Sequence, residues 1–212
     1  MHNCPLCQGS QSNHYHFDKR REYLQCGVCE LVFVNPEQRL DSDAEKSQYD
    51  LHQNDPQDMG YRRFLSRMAD PIMARVPANS QGLDFGCGPG PTLSLMLQEQ
   101  GYNMALYDIY YHPETSVLKQ QYDFVTATEV IEHLYTPDKV WQQWLNLVKP
   151  GGWLGIMTKM VIDVEAFATW HYKNDITHVI FFSRKTFEYL AERDKLELEF
   201  IGNDVILLRK PQ

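Results

Sequence analysis

The stretch that most constrains this chain is Gly82-Leu83-Asp84-Phe85-Gly86-Cys87-Gly88-Pro89-Gly90. Leu83 to Phe85 read as the end of a short buried strand. Gly86, Gly88 and Gly90 have no Cβ, so the backbone can turn tightly there and a ligand can approach it. Pro91 has its φ preset for a first helical position, and Leu93, Leu95, Met96 and Leu97 give the next segment an apolar side. Strand, glycine turn and helix N-terminus in this order aim backbone N–H groups and the helix dipole at a polar ligand.

The rest of the chain continues the alternation. Tyr61, Phe64, Leu65, Met68, Ile72, Met73 and Val76 recur at helical spacing, with Pro71 expected to kink or split that helix. Asn103 to Asp108 and Tyr122 to Thr126 read as strands, Asp138 to Val148 as a helix, and Trp153 to Thr158 as a further buried strand. Ser183 is placed to cap a helix carrying Phe187, Leu190 and Ala191. Glu197 to Ile201 and Val205 to Leu208 flank a Gly202-Asn203-Asp204 turn, a hairpin signal. Such alternation predicts an α/β fold with a doubly wound, mostly parallel sheet. Only 13 residues, Ile109 to Gln121, separate Asp108 from the Tyr122 strand. A helix-and-strand unit needs about 20 residues, so the helix is expected to be lost there and a short strand near Ser116-Val117-Leu118 retained.

The amino terminus carries a second organising pattern, Cys4-Pro5-Leu6-Cys7 and Cys26-Gly27-Val28-Cys29. Two C-x-x-C pairs at this separation are the spacing of a four-cysteine zinc ribbon, with Cys4, Cys7, Cys26 and Cys29 as ligands and Tyr15, Phe17, Tyr23 and Leu24 in the intervening hairpin. Disulfides are the competing reading, but nothing points to a secretory context. A closed Cys₄ site leaves no open position for catalysis, so structural Zn²⁺ would serve folding or the docking of a protein partner. The fifth cysteine, Cys87, reads as a small packing residue in the glycine loop. These patterns divide the chain into a ribbon at 1–35, a polar, loop-like linker at 36–59 and an α/β domain at 60–212.

Charge and composition narrow the partners. With 212 residues the chain has room for one α/β domain and a small appendage. No run of about 18 apolar residues predicts a membrane span, and Met1-His2-Asn3-Cys4-Pro5 is unlike a signal peptide, so a cytoplasmic location is expected. A net charge of −8 argues against duplex DNA as a partner. The one basic run, Lys19-Arg20-Arg21, reads as a solvated turn.

The order Asp-x-Gly-x-Gly-x-Gly resembles motif I of the class I S-adenosylmethionine (SAM) dependent methyltransferases. It lacks the third glycine spacing of the dinucleotide fingerprint G-x-G-x-x-G, which disfavours an oxidoreductase. The turn Lys149-Pro150-Gly151-Gly152 resembles the one that introduces a late strand in the same family. The resemblance implies a Rossmann-like, seven-stranded sheet that binds SAM. It implies cofactor contacts from Asp84, Gly86, Cys87, Gly88, Gly90 and Thr126, and from Asp108 as the acid for the ribose hydroxyls. In that family a helix before the first strand covers the cofactor, so Tyr61 or Arg62 either closes the site or belongs to a core stripe and the surface. The acid that many members place against adenine has no clear counterpart.

The reactive groups are expected in Thr126-Ala127-Thr128-Glu129-Val130-Ile131-Glu132-His133-Leu134. A helical turn there would put Glu129, Glu132 and His133 on one face, at the carboxyl end of the sheet. Such a set can carry general acid–base chemistry or bind a divalent cation such as Mg²⁺. It is similar to the E-x-x-E-H motif of ubiquinone-biosynthesis O-methyltransferases and of small-RNA 2′-O-methyltransferases, in which these groups hold Mg²⁺. His178 is the candidate fourth ligand or second acid/base group, and Trp170 and Tyr172 are candidates for an aromatic wall. The expectation is methyl transfer to oxygen, less readily carbon or nitrogen, of a small polar acceptor. A zinc-ribbon adaptor with a vestigial SAM site and an RNA-modifying methyltransferase are the alternatives.

Overall fold

The computed structural model describes residues 2–49 and 55–212. The part of the expected linker at 50–54 lies outside them.

Two sheets organise the chain. The amino-terminal one is built on β1 (Ser12–Phe17), β2 (Glu22–Cys26) and β3 (Val32–Val34), three antiparallel strands in sequence order. Helices α1 (Ser42–Tyr49) and α2 (Met59–Met73) follow. The main sheet then forms from β4 (Gln81–Phe85), β5 (Asn103–Tyr107), β6 (Tyr122–Thr128), β7 (Val148–Met157), β9 (Glu197–Ile201) and β10 (Val205–Arg209), with α3 (Thr92–Glu99), α4 (Pro137–Leu147), α5 (Val164–Thr169) and α6 (Arg184–Asp194) between them. Its order is β5-β4-β6-β7-β10-β9, and the first three pairings are parallel. β10 runs antiparallel to both neighbours, as the Gly202-Asn203-Asp204 turn requires of a hairpin.

The central strands are buried on both faces, and β6 is accordingly buried along almost its whole length. One face packs Trp141, Trp144 and Phe187 from α4 and α6. The other packs Leu65, Met68 and Ile72 from α2 against Phe124, Met157 and Val205. Pro71 neither splits nor breaks α2, because it lies in the last turn, where only two further residues depend on the ladder.

The sheet has six strands where seven were expected. The stretch between β5 and β6 forms a 3-10 turn, Thr115–Lys119, in place of the strand expected at Ser116 to Leu118. A chain this short can return from one parallel strand to the next, but it cannot also cross over and add an edge beyond β5. The expected loop after β3 is also more ordered than its polarity implies. It contains a 3-10 turn, Pro36–Gln38, and α1, whose start is capped by Asp41 through the Ala44 N–H at 2.9 Å.

The amino-terminal sheet is completed from the far end of the chain. β8 (Ile180–Phe181) pairs antiparallel with β3, matching Val32 with Phe181 and Phe33 with Ile180. Leu6, Phe33 and the cysteines share one apolar cluster with Trp141, Ile180 and Phe187. No helix among the described residues is long and apolar enough to cross a membrane.

Candidate functional site

The glycine loop leaves β4 and is fastened at once to the end of β5. Gly86 N–H donates to Tyr107 O at 2.7 Å, and Gly88 N–H donates to the Asp108 carboxylate at 3.0 Å. Gly86 and Gly88 have φ of +76° and +66°. A Cβ on Gly86 would lie 2.5 Å from the Val130 side chain, so only glycine fits there. The other Asp108 oxygen accepts from the N–H groups of Tyr110 and Tyr111 at 2.8 and 3.0 Å. Asp108 thus pins both the glycine loop and the turn after β5, and a carboxylate's remaining lone-pair capacity is what it offers a ligand hydroxyl.

Asp84 and Thr126 sit deeper. The buried Asp84 carboxyl accepts from Ser94 Oγ and Thr126 Oγ1, both at 3.0 Å, and burial pushes its pKa up to about 6. Thr126 is fully buried and absent from the cavity wall, where Asp84 does appear. Cys87 also lines the cavity. Burial, with the Asp84 and Asp108 carboxylates nearby, pushes its thiol pKa far up, which suits a packing group.

The second half of the site lies past β6. Glu129 follows that strand directly with φ +54°, and its N–H donates to Met157 O at 2.8 Å. The following residues form a 3-10 turn, Ile131–His133, instead of the helical turn expected from Glu129 onward. Glu129 therefore does not share a helix face with the others. Tyr172 brings the two acids together: its hydroxyl lies 2.5 Å from Glu132 Oε1 and 3.2 Å from Glu129 Oε2. Thr158 Oγ1 donates to the other Glu132 oxygen at 3.0 Å. Burial raises both carboxyl pKa values, and at Glu129 the Glu132 charge adds to the effect.

His133 and His178 stand edge to face with ring centroids 4.7 Å apart. His133 Nδ1 lies 3.2 Å from Thr177 O, and His178 Nδ1 lies 2.7 Å from Tyr172 O. A carbonyl can only accept, so each Nδ1 carries a proton toward it, which leaves Nε2 as the ring nitrogen that can accept one. Burial lowers the His178 pKa and the neighbouring His133 ring adds to the effect, against the Asp175 carboxylate 3.8 Å from its Nε2. One ligating atom from each of Glu132, His133 and His178 lies within 4.8 Å of the others.

These two halves face one cavity of about 750 Å³. Its wall includes the glycine loop, Asp108, Tyr61, Tyr110, Glu129, His133 and His178. Thr128, also on the wall, has a buried hydroxyl with no protein partner. A glycine cradle that a Cβ would fill and an orphaned hydroxyl both fit a polar ligand. Arg62 turns away to Glu99 and does not line the cavity.

Tyr172, expected only as an aromatic wall, has its hydroxyl between the two acids, which residue type alone does not reveal. Arg21, expected on a solvated turn, is 6% exposed and donates to four backbone carbonyls of residues 173–178. Its signal in the sequence was weak, since a basic run looks the same whether its last member points outward or inward.

The four cysteines converge as their spacing predicts. Cys4 and Cys29 Sγ lie 3.5 Å apart, Cys7 and Cys26 Sγ 3.4 Å apart, and all four within 4.8 Å of one another as free thiols. Both knuckles close on a left-handed residue directly after their second cysteine, Gln8 with φ +61° and Glu30 with φ +57°.

A doubly wound sheet with this glycine loop, a second-strand acid and a polar cluster past β6 is the arrangement of a class I methyltransferase domain. The chain belongs to the methyltransferase-domain family, which it matches over residues 32–199. A relative, the ubiquinone biosynthesis O-methyltransferase of Serratia proteamaculans, is 38% identical over 80 residues, covering 38% of this chain and 33% of the relative. The match thus spans about a third of that enzyme. Among solved structures, an O-methyltransferase family protein from Burkholderia thailandensis has a TM-score of 0.57 at 13% identity, covering 81% of this chain and 60% of that one. The 1,6-didemethyltoxoflavin-N1-methyltransferase of the same organism, bound to its substrate and S-adenosylhomocysteine, has a TM-score of 0.53 at 13% identity, covering 96% and 100%. At that identity the likeness is one of fold.

Proposed function

We propose that this chain transfers the methyl group of SAM to an oxygen of a small, polar acceptor held against Glu129, His133 and His178, with the buried Glu132 behind the wall as their support. The observation that carries the reading is the pair of imidazoles on the cavity wall, both fixed with Nε2 as acceptor, beside two carboxyls that share the Tyr172 hydroxyl. The SAM sulfonium supplies an electrophilic methyl group. The protein then has to align the acceptor and take its proton. The Glu132 carboxyl is steadied by Tyr172 and Thr158, so it stands in a fixed place beside the imidazoles. The cavity wall carries Glu45, Asp84, Asp108, Glu129 and Asp175 but no Lys or Arg among the described residues, which disfavours a polyphosphate or nucleic-acid acceptor. The curated relative's name, an O-methyltransferase, supports oxygen; the N1-methyltransferase among the structural neighbours is why the acceptor atom belongs to the proposal.

Two metals enter the same reading. The four cysteines fit structural zinc, because a tetrahedron with Zn–S bonds of ~2.3 Å places its sulfurs about 3.8 Å apart, within the range seen here. Glu132, His133 and His178, with Glu129 nearby, would hold a divalent cation such as Mg²⁺ that positions an acceptor hydroxyl.

The test is a screen for S-adenosylhomocysteine release over metabolite and RNA pools, with Mg²⁺ or with chelator. His133→Ala is expected to cut turnover by roughly 10²–10⁴-fold while leaving SAM affinity nearly unchanged. Release on structured RNA alone would refute the small acceptor, and equal rates with Mg²⁺ and chelator would remove the cation.

A further inference from the structure

Arg21 belongs to the amino-terminal sheet, yet its guanidinium is spent on a segment more than 150 residues away in sequence. The turn that presents it is rigid. Asp18 Oδ1 accepts from the N–H groups of Arg20 and Arg21 at 2.8 Å, and Asp18 Oδ2 accepts from Tyr23 OH at 2.8 Å. From there Nη1 donates to Ile176 O at 3.2 Å and His178 O at 2.9 Å, while Nη2 donates to Asp175 O at 3.1 Å and to Lys173 O. The guanidinium also lies 5.5 Å from the Tyr23 ring centroid.

Four carbonyls converging on one point repel each other unless a cation sits between them. The planar guanidinium has five N–H donors in a fixed fork, so it can serve several of them in one orientation. What hangs on this segment is the reactive half of the site. Tyr172 O and Thr177 O accept from Nδ1 of His178 and His133, and the Tyr172 hydroxyl joins Glu129 to Glu132.

We propose that Arg21 is a positioning residue, through which the amino-terminal sheet holds residues 172–178 in the one backbone arrangement that fixes the orientation and Nδ1–H tautomer of His133 and His178. The sheet thereby acts as an internal buttress of the acceptor side of the cavity. A second tie runs in parallel: Val34 N–H donates to Val179 O at 2.9 Å, and Val179 N–H donates to Glu132 O at 2.9 Å. The glycine loop and Asp108 stand on different strands and take no support from Arg21.

The catalytic importance of the lock rests on the proton-transfer reading above, but its existence does not, and the experiment reads the lock alone. Long-range ¹H–¹⁵N correlation spectra of histidine-labelled protein report which ring nitrogen carries the proton. The wild type is expected to show Nδ1–H at both His133 and His178. In R21A, and in R21K, whose single ammonium cannot span four carbonyls, one or both should lose that state, with faster amide exchange across residues 172–178. S-adenosylhomocysteine affinity should stay within about twofold, as expected for distant sites that share no partner. Guanidinium ion at sub-denaturing concentration should restore the tautomers in R21A, which a general loss of stability would not do. Nε2–H rings in the wild type, or a folded R21A or R21K that keeps both Nδ1–H tautomers, would overturn the proposal. Failure of both variants to fold would assign Arg21 to overall stability and overturn it equally. If the lock holds and His133→Ala turns over normally, the proton-transfer reading fails and this one stands.

Discussion

Asp108→Ala is the most informative perturbation of the half of the site built on the glycine loop. The carboxylate receives three backbone N–H groups, from Gly88 at 3.0 Å, Tyr110 at 2.8 Å and Tyr111 at 3.0 Å. A hydrogen bond to a charged group contributes about 1.5–3 kcal/mol. The Tyr110 and Tyr111 bonds close a turn at the surface, where water replaces much of what is lost, so the expected cost in stability is roughly 2–4 kcal/mol. The Gly88 bond is different, because it holds the glycine loop in its ligand-ready shape. Losing that anchor together with the carboxylate's remaining acceptor capacity should weaken S-adenosylhomocysteine binding by about 2 kcal/mol, roughly 30-fold in Kd. Asp108→Asn should fall in between, since its one amide oxygen can serve either Gly88 or the tyrosine pair but not both. Calorimetric titration gives the affinities, and urea denaturation followed by circular dichroism gives the stabilities. An Asp108→Ala protein that binds S-adenosylhomocysteine within twofold of wild type would refute the claim that this carboxylate organises the loop.

Freshly purified protein should contain one equivalent of zinc by elemental analysis. Because the cysteines share an apolar cluster with Trp141, Ile180 and Phe187, chelation should also expose α4 and α6 to hydrogen exchange; no zinc, or a disulfide by mass spectrometry, would refute the site. The buried Asp84 carboxyl, raised to about 6 from 3.8, gives a sign for the pH dependence. The folded state holds its proton more tightly than the unfolded chain, so this contribution is fully present below the unfolded pKa and is lost as pH rises through about 6. Between pH 5 and 7.5 the loss should be on the order of 1 kcal/mol. Urea denaturation of the ligand-free protein should show that slope flattened in Asp84→Asn, and an unchanged slope would place the titrating group elsewhere.

What the sequence determined by itself was local. The glycine turn, the C-x-x-C pairs and the Gly202-Asn203-Asp204 hairpin each encode a backbone conformation in a few neighbouring residues, and each forms where its residues stand. The alternation of strands and helices along the chain determined the parallel sheet, since parallel neighbours need a crossover between them. The short stretch between β5 and β6 announced the missing helix, though not that its strand would be lost with it. The tertiary structure decided whatever depends on residues distant in sequence meeting at one point. Glu129 and Glu132 are joined by a tyrosine 40 and more residues away, where a helix face had been expected to align them. Arg21 meets the carbonyls of 173–178, and β3 finds its partner in β8, which joins the amino-terminal sheet to the segment that carries His178. A guanidinium's environment cannot be read from its neighbours in the chain, because burial is a property of what packs against it and not of the residues beside it.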